Sequence, residues 1–132
     1  MLMVAGAVGP LSGCGREARH QVRLSVEELA SISAEGALVA DDLARGRTKT
    51  TFVRVHGSEL RAQAEHEAEK LNDDPVAPGL HGRIQAAIKL ASDIGGAIDD
   101  LRTSPQNRAQ ARVAQRKLHR WADQARKLAE SV

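Results

Sequence analysis

The amino-acid sequence predicts an all-α chain folded as an antiparallel up-down-up-down four-helix bundle. Of its 132 residues 42% are hydrophobic, yet only Phe52 and Trp121 are aromatic and tyrosine is absent. That composition disfavours the aromatic and β-branched faces of a sandwich or barrel and favours Ala- and Leu-type packing between helices. From residue 25 onward, apolar residues recur at about 100° per residue in four stretches, separated by short breaks rich in Gly, Pro and Asp. A chain of this length supports one hydrophobic core.

The first helix is expected to begin at a capping box, Ser25-Val26-Glu27-Glu28, with Ser25 as the cap and Glu28 reaching back from the third helical position. Its inner face is Val26, Leu29, Ile32, Gly36, Val39, Ala40 and Leu43, and Gly46 stops it. A second helix over residues 51–72 carries a narrower stripe of Phe52, Val53, Leu60, Ala64 and Leu71, closed by Asp73-Asp74-Pro75. The third starts near Pro78 and presents Leu80, Ile84, Ala87, Ile88, Ala91, Ile94, Ile98 and Leu101. Its Gly95-Gly96 pair costs about 1 kcal/mol per residue relative to alanine, which predicts close approach of a neighbouring helix there. Ser104-Pro105 is expected to cap the fourth helix, which runs to about residue 130 with Ala111, Ala114, Leu118, Trp121, Ala125, Leu128 and Val132 inward. Helices of about 30 Å joined by a few residues must lie antiparallel. A shift of 58 residues aligns Leu38-Val39-Ala40-Asp41-Asp42-Leu43 with Gly96-Ala97-Ile98-Asp99-Asp100-Leu101, and Leu60 and Ala64 with Leu118 and Ala122. Shared amphipathic composition accounts for this match more economically than duplication of a hairpin.

Chain chemistry changes at Cys14. Residues 1–13 contain no ionisable side chain, whereas Arg16, Glu17, Arg19, His20 and Arg23 follow closely. The apolar run over residues 2–11 is about half the length needed to span a bilayer and reads as the hydrophobic region of a signal segment. Leu11-Ser12-Gly13-Cys14 is an aliphatic residue, two small ones and a cysteine. This segment resembles the lipobox of bacterial lipoproteins, over about a tenth of the chain. The resemblance implies recognition of Leu11, Ser12 and Gly13 by a signal peptidase, diacylglycerol on the Cys14 sulfur, cleavage before Cys14 and N-acylation of the new terminus. It further implies residence on the extracytoplasmic face of a cell membrane. Acyl chains contribute about 0.8 kcal/mol per buried methylene. Lipoprotein signals carry Lys or Arg ahead of the hydrophobic region, and none stands there in this sequence, so the basic segment is expected upstream of Met1. The expected organisation is a signal peptide, truncated at its start, over residues 1–13, a lipidated cysteine and polar tether over 14–24, and the bundle over 25–132.

Catalytic and metal motifs are missing. One cysteine excludes an internal disulfide, a thiolate zinc site and c-type haem attachment. The spacing Glu-x-x-His, needed twice for a di-iron bundle, occurs at Glu17 and His20 alone, within the tether. No His-Glu-x-x-His, phosphate-binding glycine loop or Gly-x-Ser-x-Gly is present. His56 and His66 share a helix but stand about 15 Å apart and some 80° around its axis, too far to hold one ion. His56 is expected at the edge of the apolar stripe, partly buried and hydrogen-bonded. Glu65-His66-Glu67 and His119 are expected on outer faces. No enzyme activity is expected, and no cofactor beyond the lipid on Cys14.

Charge is segregated instead. Residues 58–74 hold six acids against Arg61 and Lys70, and residues 104–132 hold seven bases against Asp123 and Glu130. Arg108, Arg112, Arg116 and Arg120 recur every fourth residue as a winding stripe away from Leu118 and Trp121. Such a stripe suits a polyanion or anionic lipid headgroups, unless the acidic helix balances it as ordinary solvated surface. Nucleic acid is not an expected partner, because the basic face has no aromatic for stacking and the net charge is only +2. The leading expectation is a lipid-anchored, exported, non-enzymatic binding or accessory module with an envelope protein as partner. One alternative is a sensory bundle holding a small apolar ligand in a cavity at Gly95-Gly96, and another is a cytosolic helical protein whose lipobox match is accidental.

Overall fold

The computed structural model describes residues 11–73 and 79–132, with side chains from Gly15 onward in the first stretch. The apolar run over residues 2–10, the stop at Asp74-Pro75 and the start at Pro78 lie outside the described residues. Among the described residues four helices make up the fold: α1 (Leu11–Ala44), α2 (Thr50–Asp73), α3 (His81–Thr103) and α4 (Arg108–Glu130). All sequential neighbours are antiparallel, as the short connections require. Along α1 and α4, Arg23 donates from Nη2 to the Val132 carbonyl (2.9 Å), and the Ser33 hydroxyl donates to the Leu118 carbonyl (2.6 Å). Gly57 faces Arg102 and Gly95 faces Ala64 along α2 and α3.

Several helix ends differ from expectation. The expected tether is helical, because α1 runs without interruption through residues 15–24, burying Val22 and resting Ala18 on the core. Ser25 is therefore a buried position inside a helix, spaced with Val22 and Leu29, and caps nothing. The stop at Gly46 is as expected: with φ at +68°, its N–H donates to Leu43 O (3.1 Å) and the Arg47 N–H to Asp42 O (2.8 Å), a Schellman closure. Leu80 precedes α3 without a side-chain cap. Ser104 ends α3, its N–H bonded to Asp100 O, and Asn107 is the cap of α4, its Oδ1 accepting the Gln110 N–H at 3.0 Å. Asn107 is a strong cap and follows a turn at the buried Pro105, so the helix starts three residues later than Ser104 would place it.

The expected inner faces are buried with three adjustments. Phe52 is half-exposed, while Ile88, Trp121 and Leu128 sit partly buried at the rim of the core. Leu90, Ala97, Ala122 and Ala129 join the core, widening the faces of α3 and α4. Glu67, expected on the outer face, is 6% exposed, because it stands three residues after Ala64 and four before Leu71.

Among the glycines within helices, the closest approach of a neighbour occurs at Gly36, not at Gly95-Gly96. A Cβ on Gly36 would lie 3.2 Å from Ile98 Cγ1 and 3.3 Å from Leu118 Cδ1, whereas one on Gly95 would meet only Ala64 Cβ at 4.0 Å and one on Gly96 would enter open space. α1 and α3 thus touch across the bundle, and α2 and α4 occupy the other two corners without contact among the described residues. The most extensive pairs are α1 with α4 and α2 with α3; the pairs α1 with α2 and α3 with α4 are less extensive and similar to each other. Exchanging α1 for α3 and α2 for α4 leaves this pattern unchanged, as in any antiparallel square of four helices. Residues matched at a spacing of 58 also agree in burial, with Val39, Ala40, Leu43, Leu60 and Ala64 buried alongside Ala97, Ile98, Leu101, Leu118 and Ala122.

Two glycine substitutions should therefore act in opposite directions. Gly36→Val forces Ile98 and Leu118 apart and should lower unfolding free energy by about 1–3 kcal/mol. Gly96→Ala meets no neighbour and should raise it by about 0.5–1 kcal/mol. Urea denaturation followed by circular dichroism measures both.

Candidate functional site

The basic stripe lies on α4, whose inward alanines and Leu118 hold the opposite face against α1. Arg108, Arg112, Arg116 and Arg120 are all exposed. Each step of four residues advances the stripe by about 6 Å and turns it by about 40°, so its ends diverge by about 120°. The Arg108 guanidinium lies against Gly46 at the α1–α2 turn, where a Cβ would come within 2.8 Å of its Nη2. Arg120 borders a groove with Trp121 and the α3 residues Lys89 and Asp93. One flat surface therefore meets Arg112 and Arg116 together, with the other two at its flanks.

The acidic helix does not balance this stripe. α2 and α4 sit at opposite corners, and the ion pairs of α4 among the described residues are Arg126 with Asp123 (2.8 Å) and His119 with Asp123 (3.9 Å). Neither includes a stripe arginine. Two carboxylates of α2 are instead engaged within their own helix, Glu65 with Arg61 (3.0 Å) and Glu67 with Lys70 (3.1 Å). Glu67 Oε2 has no hydrogen-bond partner among the described residues, so burial of this side chain is only half compensated.

Between α2 and α3 the charges form a connected network. Asp99 Oδ1 accepts from Arg102 Nη2 (2.7 Å), Arg102 Nε (3.1 Å) and Arg61 Nη1 (2.9 Å), and Arg61 continues to Glu65. The hydrogen bond from Arg102 holds the Asp99 carboxyl below its ordinary range; partial burial opposes this, and the Arg61 charge adds to it. The sequence contained part of the signal in the three-residue spacing of Asp99 and Arg102, but Arg61 lies 38 residues away and joins only through the fold.

His56 bridges α1 and α2 as the sequence leads one to expect: partly buried, it donates from Nε2 to Glu35 Oε1 (2.8 Å), and Nδ1 lies 3.5 Å from Glu59 Oε2. Its ring stacks on Phe52 at 5.2 Å, which explains why Phe52 remains at the surface. His66 and His119 are exposed. Among the described residues no group of three His, Cys, Asp or Glu side chains could hold a metal ion, and no helix is long and apolar enough to cross a membrane. At Gly95-Gly96 there is an open groove of about 480 Å³ between α2 and α3, in place of the expected cavity. Its floor is apolar, and Arg61, Glu65, Glu69 and Asp99 rim it. The lipobox, Leu11 to Cys14, falls in the first turn of α1. The chain matches no protein-family model, no curated protein and no solved structure.

The depressed Asp99 pKa sets a pH dependence. The stabilisation from its pairs is fully present above the unfolded-state value of about 3.9 and is lost as pH falls through the lower folded-state value. Asp99→Asn removes this component. Its urea midpoint should lie below that of the unsubstituted chain at pH 7, and the gap should close as the pH falls through the lowered folded-state value.

Proposed function

We propose that this chain is a lipid-anchored, exported bacterial envelope protein whose helical bundle serves as a non-enzymatic binding or accessory module. The observation that carries the reading is Leu11-Ser12-Gly13-Cys14, with the chain's single cysteine at the junction of an uncharged apolar leader and a charged segment. Signal peptidase recognises Leu11, Ser12 and Gly13; Cys14 receives diacylglycerol and, after cleavage, an N-acyl group.

The continuity of α1 gives the anchor a mechanical character that a flexible tether would lack. A helix from Cys14 to Arg23, where α1 meets the end of α4 through the Arg23–Val132 hydrogen bond, is a spacer of roughly 14 Å. Arg16, Arg19 and His20 are exposed on it, a distribution suited to an anionic headgroup region. The bundle is then held close to the bilayer, and the stripe centred on Arg112 and Arg116 faces an anionic surface, either lipid headgroups or another polyanion. Each base near such a surface contributes about 1 kcal/mol. The partner that the module serves is an envelope component.

Two measurements test this. Growth with a clickable fatty acid should label the protein and Cys14→Ser should abolish the label; an unlabelled protein, or one equally soluble with and without Cys14, overturns the anchor and favours a cytosolic protein with an accidental lipobox match. Arg112→Glu with Arg116→Glu should weaken binding to phosphatidylglycerol vesicles by about tenfold or more at low salt, with helix content unchanged. Binding indifferent to the charge reversal, or to salt, assigns the stripe to ordinary surface.

A further inference from the structure

Two basic clusters, far apart in the sequence, lie at opposite ends of one face of the bundle. Near the start of α1, Arg16 and Arg23 are seven residues apart, almost two full turns, and so project from the same side of the helix, with the exposed Arg19 between them. Arg23 and Glu27 border α4 at Arg126 and Glu130, and further along the same groove Ala34 and Asp41 of α1 face Gln115 and His119 of α4. Arg112 and Arg116 flank Gln115 on α4, three residues before it and one after, on the outer side of that groove. The start of α1 and the centre of the arginine stripe therefore share the α1/α4 face.

Ion pairing neutralises the middle of this face and leaves its ends charged. Arg126 is held by Asp123 (2.8 Å) and Arg45 by Asp41 (2.9 Å), and Glu27 and Glu130 stand between the clusters. Arg16, Arg19, Arg112 and Arg116 have no ion pair among the described residues. Distance then decides how such a face meets a bilayer anchored at Cys14. The hydrogen bond from Ser33 to the Leu118 carbonyl sets Arg112 and Arg116 level with the α1 turns that follow Ser33, about 25 residues beyond Cys14 and roughly 35–40 Å along the axis. In an upright bundle the far cluster would stand several screening lengths, of about 10 Å each at 0.1 M salt, from the headgroups and would gain nothing from them. In a bundle lying on its side, both clusters reach the headgroups together.

We infer that the bundle lies on its α1/α4 face against an anionic bilayer, with its long axis in the membrane plane and with α2 and α3 turned to water. The inference rests on the anchor reading above, and it commits the stripe to lipid headgroups rather than to a dissolved polyanion. Two clusters at the two ends of one face resist tilting, which a single cluster beside the anchor would not do. The groove rimmed by Glu65, Glu69 and Asp99 against Arg61 lies between α2 and α3, so this orientation keeps those carboxylates away from headgroups of like charge.

The single thiol of the chain, at Cys14, couples the full chain to a maleimide-headgroup lipid, so the orientation is measured whether or not a cell acylates that residue. Neutron reflectometry on a supported bilayer reads the thickness of the protein layer, about 20–25 Å for two layers of helices lying flat and about 45–50 Å for α1 standing upright. At low salt the unsubstituted chain should form the thin layer on a bilayer containing phosphatidylglycerol and the thick layer on phosphatidylcholine alone. Arg112→Glu with Arg116→Glu should give the thick layer on phosphatidylglycerol. Arg54→Glu with Lys89→Glu, at exposed positions of α2 and α3 and with the same change in charge, should leave the layer thin. A thick layer of the unsubstituted chain on phosphatidylglycerol, a thin one on phosphatidylcholine alone, or the same response to both charge reversals overturns the inference. Binding of dissolved polyphosphate by a chain that stands upright on phosphatidylglycerol also overturns it and assigns the stripe to a polyanion.

Discussion

The close approach of α1, α3 and α4 at Gly36 is the constraint on which the rest of the molecule depends. With no side chain at that position, Ile98 and Leu118 reach within ordinary contact of the α1 backbone. Alanines at Ala37, Ala40, Ala111, Ala114, Ala122 and Ala125 keep the neighbouring surfaces low, and the buried hydrogen bond from Ser33 to the Leu118 carbonyl ties α1 to α4 in the same region. Small-residue packing of this kind needs few aromatics, which is why Phe52 can remain at the surface stacked on His56 and Trp121 at the rim. Because α1 and α3 occupy the short diagonal, α2 and α4 are forced onto the long one.

That geometry turns a segregation of charge along the sequence into a segregation in space. Had α2 and α4 been neighbours, Glu65 and Glu69 could have neutralised Arg112 and Arg116 within one chain. At opposite corners they cannot, and the ion pairs among the described residues run within a helix, as for Arg126 with Asp123, or between adjacent helices, as for Arg61 with Asp99 and His56 with Glu35. Exposed pairs of this type contribute a few tenths to about 1 kcal/mol each, so the bundle's stability rests on its apolar core, and its surface charge remains available for encounters with other molecules. Long-range attraction from such a stripe is strongest at low ionic strength and fades beyond about 10 Å at 0.1 M salt. An anchor at Cys14 carried on a rigid helix would keep that surface at a short, defined distance from the bilayer.

Legibility in the sequence followed the physics of each element. Apolar periodicity located all four helices and nearly all the inner faces, since a 3.6-residue repeat must face a core whatever the tertiary arrangement. Gly46 was readable as a stop because a left-handed residue at a helix end is a local requirement. Ser25 and Ser104 resemble caps locally, yet burial beside Val22 absorbed the first into α1, and the turn at Pro105 passed the capping role from the second to Asn107. Glu67 was misplaced because its charge outweighed its spacing in the reading of the stripe. The arginine stripe itself was visible at four-residue intervals, but its lack of intramolecular partners was not, since that depends on which helices become neighbours.

The arrangement of α2 opposite α4 underlies each of these surfaces, and cysteine cross-linking measures it directly. A Cβ on Gly57 lies 3.5 Å from Arg102 Cβ, within the range that a disulfide spans. With Cys14→Ser as background, Gly57→Cys combined with Arg102→Cys should oxidise to an intramolecular disulfide under mild conditions, while His66→Cys combined with Arg116→Cys, from α2 to α4, should not. An intramolecular bridge in the second pair and none in the first would place α2 beside α4 and contradict the account.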